Sequence, residues 1–199
     1  GGGLGIPYRK YEEEPRLDMA ELGRRLHALL SAWVEETGYK GKFFIEPGRY
    51  VVAECGVLLG TVHATKFNGE NRYVGTDLGF NVLVRPAMYD SFHDIEIFRD
   101  GGEPDTDLVE QSIVGNICES GDILTPAPAD PEALAPRLMQ KAEIGDICII
   151  GGAGAYCSSM SPSNYNSYPA SPEVMLLKNG KLRLIRRRQT PEQTTENEL

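Results

Sequence analysis

The sequence predicts an α/β segment followed by an all-β domain. Three observations carry that reading. Residues 1–50 hold one long apolar-periodic helix set between a glycine-rich loop and a short apolar run. From residue 51 to 199 the chain becomes a succession of short runs rich in Val, Ile, Leu and Thr. Two Asn-Gly dipeptides, Asn68-Gly69 and Asn179-Gly180, punctuate those runs as hairpin turns.

Gly1-Gly2-Gly3-Leu4-Gly5 reads as a loop that follows a strand. Glycines let a backbone approach a ligand closely and expose its N–H groups. A flexible added segment is the plainer reading of these glycines alone. Asp18 to Glu36 is the clearest helix: Leu22, Leu26, Leu29, Leu30, Trp33 and Val34 recur at i, i+4, i+7 and i+8 and mark one buried face. Asp18 with Glu21 supplies a capping pair, and Gly38 sits where the helix should stop. Phe43-Phe44-Ile45 then reads as a short buried strand running into Glu46-Pro47-Gly48-Arg49. Loop, helix, strand and polar loop in that order form one α/β crossover unit, a piece of a parallel sheet or barrel.

The β texture begins at Tyr50. Tyr50 to Phe67 reads as strand and turns at Asn68-Gly69 into Arg72 to Thr76. Phe92 to Phe98 alternates, with Phe92, Ile95 and Ile97 among polar residues, and ends at Asp100-Gly101-Gly102. Leu108 to Cys118 and Ile147 to Ile150 are further strands, and Val174 to Leu177 pairs with Leu182 to Ile185 across Asn179-Gly180. Pro126 to Pro136 is expected to be a surface loop, and the polar residues from Gln189 onward to fray.

Composition narrows the function. A chain of 199 residues, 41% apolar and 25% charged, has the balance of an ordinary soluble domain. Its 29 Asp+Glu against 20 Lys+Arg give a net charge of −9, which argues against a general nucleic-acid binder. No apolar run approaches the roughly 18 residues of a spanning helix, and no secretory h-region follows the start. Neither nucleic acid nor a membrane is therefore expected as a partner. Cys55, Cys118, Cys148 and Cys157 lie far apart with no Cys-x-x-Cys pair, which fits reduced thiols and a cytoplasmic location. His27, His63 and His93 form no His-x-x-x-His pair, and no metal site is expected.

Four segments carry more polar specificity than packing requires. Glu46-Pro47-Gly48-Arg49 ends an apolar run, and barrel enzymes place reacting groups at the ends of their strands. Arg85 and Tyr89, four residues apart, suit carboxylate recognition, since Arg presents a planar bidentate fork; a solvated loop charge is the plainer reading. Cys118-Glu119 places a thiol beside a carboxylate in a glycine-flanked loop, although most free cysteines are inert fillers. Gly151-Gly152-Ala153-Gly154-Ala155-Tyr156 is too glycine-rich for plain strand and lets a Tyr project where a backbone must pass close. Together they suggest a single anionic, amino-acid-like ligand.

The ordered set GGGLGIPY, IEPGRY, RPAMYDSFHDI, CESGD, GAGAYCSSM, SNYNS and LIRRRQT resembles the C-terminal half of the diaminopimelate decarboxylase family, over essentially the whole chain. The resemblance implies the C-terminal units of a pyridoxal-phosphate (β/α)8 barrel over residues 1–50, followed by a β-sandwich or barrel-like domain over 51–199. It also implies pyridoxal 5′-phosphate as cofactor and meso-diaminopimelate as substrate, decarboxylated to L-lysine in lysine biosynthesis by a homodimer that shares its active sites across the interface. Gly1, Gly2, Gly3 and Gly5 would hold the cofactor phosphate, and Glu46 would face the pyridinium nitrogen. Pro47, Gly48 and Arg49 would lie against the cofactor, with Arg49 also at the substrate carboxylate. Arg85 and Tyr89 would grip the substrate's far end, Cys118 would be the proton donor, Glu119 would anchor the distal amine and Tyr156 would touch both cofactor and substrate. Glu rather than Asp after the Cys favours this family over ornithine-type relatives.

The resemblance also places the family's Schiff-base lysine upstream of residue 1. The residues agree, since none of Lys10, Lys40, Lys42, Lys66, Lys141, Lys178 and Lys181 stands in an apolar strand where desolvation would lower an amine's pKa. The chain is therefore expected to be the later part of a longer enzyme and inactive by itself. Two alternatives stay open: a decarboxylase of another basic amino acid (ornithine, arginine or carboxynorspermidine), and a non-catalytic decarboxylase-like interaction protein.

Overall fold

Asp18 starts the first helix as expected. In the computed structural model, which describes residues 1–10, 14–99 and 107–199, its carboxylate accepts from the Glu21 N–H at 2.9 Å and opens α1 (Met19–Thr37). Gly38, at φ 68°, closes it by donating to the Val34 carbonyl at 2.9 Å. The Glu21 carboxylate turns to Arg24 and Arg25, each at 2.6 Å, so the cap is one-sided. The expected buried face is not buried: no residue of α1 is, and Leu29 is 68% exposed. Phe43-Phe44-Ile45 is not a strand either, and Phe44 is 75% exposed. Both corrections have one cause. An apolar stripe buries only against a second element and a strand exists only on a ladder partner, and the described residues offer neither.

The stretch from Tyr50 departs from expectation as well. Gly48–Val52 form a short helix, α2, and Ala53–Cys55 a 3₁₀ turn, so strand begins only at Leu58. Pro47 stands at the helix start with φ −84°, and its carbonyl accepts from Val51 at 3.2 Å, which winds the chain before a ladder can form.

From there the β domain assembles as β1 (Leu58–Asn68), β2 (Asn71–Thr76), β3 (Ile95–Phe98), β4 (Leu108–Val114), β5 (Pro126–Ala127), β6 (Asp130–Leu134), β7 (Arg137–Gln140) and β8 (Ile147–Ile150). Six of these form one sheet in the order β3-β8-β1-β2-β4-β7. Its edge strands β3 and β7 approach each other, so the sheet nearly closes into the expected barrel-like form. All neighbours are antiparallel except β2 and β4, which run parallel with Tyr73 opposite Ser112. The β1–β2 hairpin pairs Asn68 with Asn71, so its loop is Gly69-Glu70, one residue later than the Asn-Gly signal places it. Val62, Val74, Ile97, Ile113, Cys148 and Ile150 fill the interior, each inward residue alternating with a more exposed neighbour in β3 and β8. The expected turn at Asp100-Gly101-Gly102 lies outside the described residues.

Two further expectations need correction. Pro126 to Pro136 is not a plain loop but contains the β5–β6 pair, a two-stranded edge ribbon in which a proline's missing N–H costs little. The C-terminal stretch does not fray at Gln189. Beyond the separate hairpin of β9 (Glu173–Leu176) and β10 (Leu182–Arg186), the Gln189 N–H donates to the Ala170 carbonyl at 3.0 Å. Its side-chain oxygen accepts from Asn164 at 2.6 Å and from the Ala170 N–H at 2.9 Å. Thr190 then caps a final turn, Pro191–Thr194, in a reciprocal box with Gln193.

Candidate functional site

Two guanidiniums converge on one phenol. Arg85 opens α3 (Arg85–Tyr89) and is only 6% exposed. One of its nitrogens donates to the Tyr8 hydroxyl at 3.1 Å and another to His93 Nε2 at 3.3 Å. Its guanidinium also lies 5.3 Å from the Tyr8 ring centre and 5.4 Å from that of Tyr156. Arg49, in α2, donates to the carbonyls of Leu4 and Gly3, each at 3.2 Å, and to the same Tyr8 hydroxyl at 3.4 Å. Neither arginine pairs with a carboxylate among the described residues.

His93 is the buried hinge of this group, 1% exposed. Its Nδ1 lies 2.9 Å from the Gly151 carbonyl, which can only accept, so Nδ1 carries the proton and Nε2 receives the Arg85 N–H. Burial pushes the imidazole down to about 4, with the Arg85 and Arg137 charges adding to it against the pull of the Gly151 carbonyl. A neutral ring thus links the arginine to the 151–154 glycine loop.

The N-terminal glycine loop is shaped by its neighbours. A Cβ on Gly2 would stand 2.9 Å from the Glu46 carbonyl oxygen, so only glycine lets these backbones meet. Glu46 N–H donates to the Gly1 carbonyl at 2.7 Å, and the Glu46 carboxylate lies 2.8 Å from the Gly1 nitrogen. With Arg49 engaging the carbonyls of Gly3 and Leu4, no N–H from Gly2 to Gly5 meets an acceptor among the described residues. A row of open backbone donors beside glycines is chemistry that suits a phosphate. Pro47 and Gly48 stand at the start of α2, next to this loop.

Tyr156 follows the second glycine loop with φ 65°, a left-handed conformation uncommon for a tyrosine, and is exposed. The loop is held against the 3₁₀ turn by Ala153 N–H to Gly56 at 2.8 Å and Gly154 N–H to Ala53 at 2.9 Å. A Cβ on Gly154 would come 1.8 Å from the Val52 carbonyl oxygen, a backbone atom that cannot swing away. Gly154→Ala should therefore lower the unfolding free energy by about 1–3 kcal/mol, the usual cost of overpacking, measured as a shift in the urea midpoint. An unchanged midpoint would mean that the two backbones are free to separate.

Cys118 and Glu119 lie in a separate group. Buried Asp122 holds their loop by accepting from the Phe80 N–H and the Ile117 N–H, both at 2.7 Å, and burial raises its carboxyl. Cys118 N–H donates to Asn166 Oδ1 at 3.0 Å, and Tyr165 donates its hydroxyl to Glu119 at 3.2 Å while its ring meets Phe80 edge-on. The Cys118 and Cys55 side chains are exposed and in no disulfide, whereas burial pushes the Cys148 and Cys157 thiols up to about 12 and about 11. No side-chain hydrogen bond, ion pair or ring contact among the described residues joins this group to the arginines, nor joins the Tyr89 side chain, 56% exposed, to that of Arg85. The expected site residues therefore fall into two groups, with the Tyr89 side chain linked to neither.

Sequence reasoning did not single out Tyr8, Asp122 or Asn166, and weighed His93 only as a metal ligand. Tyr8, Asp122 and Asn166 all sit inside quoted motifs, GGGLGIPY, CESGD and SNYNS, and proximity to Gly5 and to Cys118 is the local signal for the first two. His93 also sits inside a quoted motif, RPAMYDSFHDI, but its link to Gly151, far along the chain, has no local sign.

Residues 49–154 match the family model described as pyridoxal-dependent decarboxylase, C-terminal sheet domain. The diaminopimelate decarboxylase of Escherichia coli strain K12 is 40% identical over 201 aligned residues, covering 100% of this chain and 46% of that protein. A crystal structure of diaminopimelate decarboxylase superposes with a TM-score of 0.90 at 39% identity, covering 100% of this chain and 46% of that one. Another, from M. jannaschii in co-complex with L-lysine, gives 0.83 at 31% identity and covers 100% and 42%. The chain spans a little under half the length of these relatives.

Proposed function

The chain belongs to the pyridoxal-dependent decarboxylases, whose C-terminal sheet domain it carries, and from that premise we propose that it is the later part of a diaminopimelate decarboxylase. That enzyme would remove one carboxylate of meso-diaminopimelate and leave L-lysine, in the cytoplasm. The observation that carries the substrate class is the pair Arg49 and Arg85, meeting at Tyr8 with no carboxylate partner among the described residues. Positive charge placed in a largely buried site is stabilised by an anion, and a substrate with a second carboxylate supplies one after the first has left.

Pyridoxal phosphate, when bound, supplies an electron sink for the pair released as CO₂ departs. Gly1, Gly2, Gly3 and Gly5 would hold its phosphate, with the open N–H groups of Gly2, Gly3 and Gly5 as the donors and Pro47, Gly48 and Arg49 against it. Glu46 would keep the ring nitrogen protonated, and Tyr156 would flank cofactor and substrate. Arg85 and Tyr89 would bind the far end of the substrate and Glu119 its distal amine. Cys118 would donate the proton that replaces the carboxylate. Because Cys118 and Glu119 stand apart from the arginines, we assign them to the neighbouring site of a two-fold homodimer, in which each β domain completes its partner's site. We assign residues 1–50 to the barrel part and 51–199 to the β domain, a division that falls within α2.

The test uses the full-length protein containing this chain, assayed for CO₂ release from meso-diaminopimelate, ornithine and arginine. Discrimination of about 100-fold or more in kcat/KM for diaminopimelate is expected, because unpaired buried charges reject ligands that lack the matching group. Comparable rates on all three would overturn the assignment. Residues 1–199 alone should release no CO₂, since none of the seven lysines is buried.

A further inference from the structure

The proposed site contains a residue with no assigned role at its centre, Tyr8. Its hydroxyl oxygen accepts from Arg85 at 3.1 Å and from Arg49 at 3.4 Å, which uses both of its lone pairs. The hydroxyl proton donates to no acceptor among the described residues. A neutral phenol thus fixes two like charges on one atom and keeps a third donor available between them. The ring itself is held from other sides, edge-on to His93 at 6.0 Å and packed beside the small cluster of Ile6, Ala53 and Ala155. Its position is therefore set by packing, and its hydroxyl is left to organise the charges.

We propose that Tyr8 is a positioning residue for the substrate's retained carboxylate: it holds the Arg49 and Arg85 forks in register and aims its own O–H at the anion they bind. The inference rests on the function proposed above and adds a residue to it. Tyr8 faces a group that survives the reaction, so it should govern binding of substrate and product alike and have little effect on the chemical step. Two guanidiniums without the phenol oxygen between them would repel and splay, and a carboxylate would then meet one fork instead of two.

Tyr8→Phe removes only the hydroxyl and keeps the ring contacts to both arginines and to His93. In the full-length holoenzyme the expected result is a KM for meso-diaminopimelate raised about tenfold or more with kcat nearly unchanged, as for loss of one hydrogen bond to a charged ligand. Competitive inhibition by L-lysine, which keeps the carboxylate, should weaken by the same factor. Inhibition by cadaverine, the diamine with no carboxylate, should not change. Equal weakening of lysine and cadaverine, or loss of kcat with KM unchanged, would show that Tyr8 is only structural and overturn the proposal. If Tyr8→Phe melts well below the wild type, Tyr8→His, which can still donate toward the anion, must recover the lysine–cadaverine difference, and its failure also overturns the proposal. Wild-type enzyme that does not act on diaminopimelate would instead refute the parent assignment, so the two failures are distinct.

Discussion

Full-length protein carrying Cys118→Ala should bind pyridoxal phosphate as the wild type does and lose about 10²–10⁴-fold in turnover, the usual worth of a positioned general acid. The thiol is exposed and its side chain is not part of the core, so the substitution should leave the melting temperature unchanged. Only its backbone is tied down, through Asn166, and alanine keeps that N–H. A second inactive variant, lacking the cofactor-linking lysine of the upstream part, makes the test sharper. Mixing the two and allowing subunits to exchange should restore up to about a quarter of wild-type activity, because one of the two sites in each mixed dimer regains both groups. Confirmed exchange without recovery would place Cys118 in its own subunit's site or outside the chemistry. A loss of less than tenfold in Cys118→Ala would remove it as the proton donor.

Acid should destabilise the protein through His93. The imidazole is held at about 4 in the folded chain against an ordinary value of 6.5, so the unfolded chain takes up its proton first as pH falls. The stabilisation is complete above pH 6.5 and is lost progressively as pH drops toward 4. Across that window it amounts to on the order of 3 kcal/mol, from 1.36 kcal/mol per pH unit. Protonation would also turn Nε2 into a donor facing the Arg85 guanidinium, two positive groups 3.3 Å apart. Asp94 and Asp122, both raised by burial, act in the opposite sense over part of this range. The measurement is therefore a difference: urea unfolding from pH 7 to pH 4 for wild type and for His93→Gln, which can donate to Gly151 and accept from Arg85 without titrating. The variant should show a flatter pH dependence, and parallel curves would assign the acid sensitivity elsewhere.

What could be read from the sequence was whatever is encoded locally. The α1 cap at Asp18, its stop at Gly38 and the inward alternation of Ile95 and Ile97 depend on a few neighbouring residues, and all three are found. The apolar stripe of α1 and the run Phe43-Phe44-Ile45 were visible as well, but periodicity identifies a face able to be buried and says nothing of what covers it. Pro47 outweighed the strand-forming residues that follow because one fixed φ at a helix start settles the next turn. Gln189 looked like a polar tail because its partners, Asn164 and Ala170, lie on the far side of the β9–β10 hairpin. The proposed site divides in the same way. Arg49, Arg85, Cys118 and Glu119 declare themselves by residue type and motif. That Arg85 is buried, that His93 is neutral and that Tyr8 joins two arginines are facts of long-range contact, which no local pattern records.

The parallel pairing of β2 with β4 ties the site to the closure of the sheet. Strands that run the same way need a crossover, and the chain from Thr76 to Leu108 that provides it also carries Arg85 and His93. Long-range pairings of this kind form late, after the entropy of closing the loop has been met. Arg85 and His93 therefore lie on the loop that this pairing closes. A chain that has zipped the β1–β2 hairpin but not yet received β4 would have native-like turns while Arg85 and His93 still sat on an unclosed loop, so binding at the proposed anion site would mature in step with closure of the sheet.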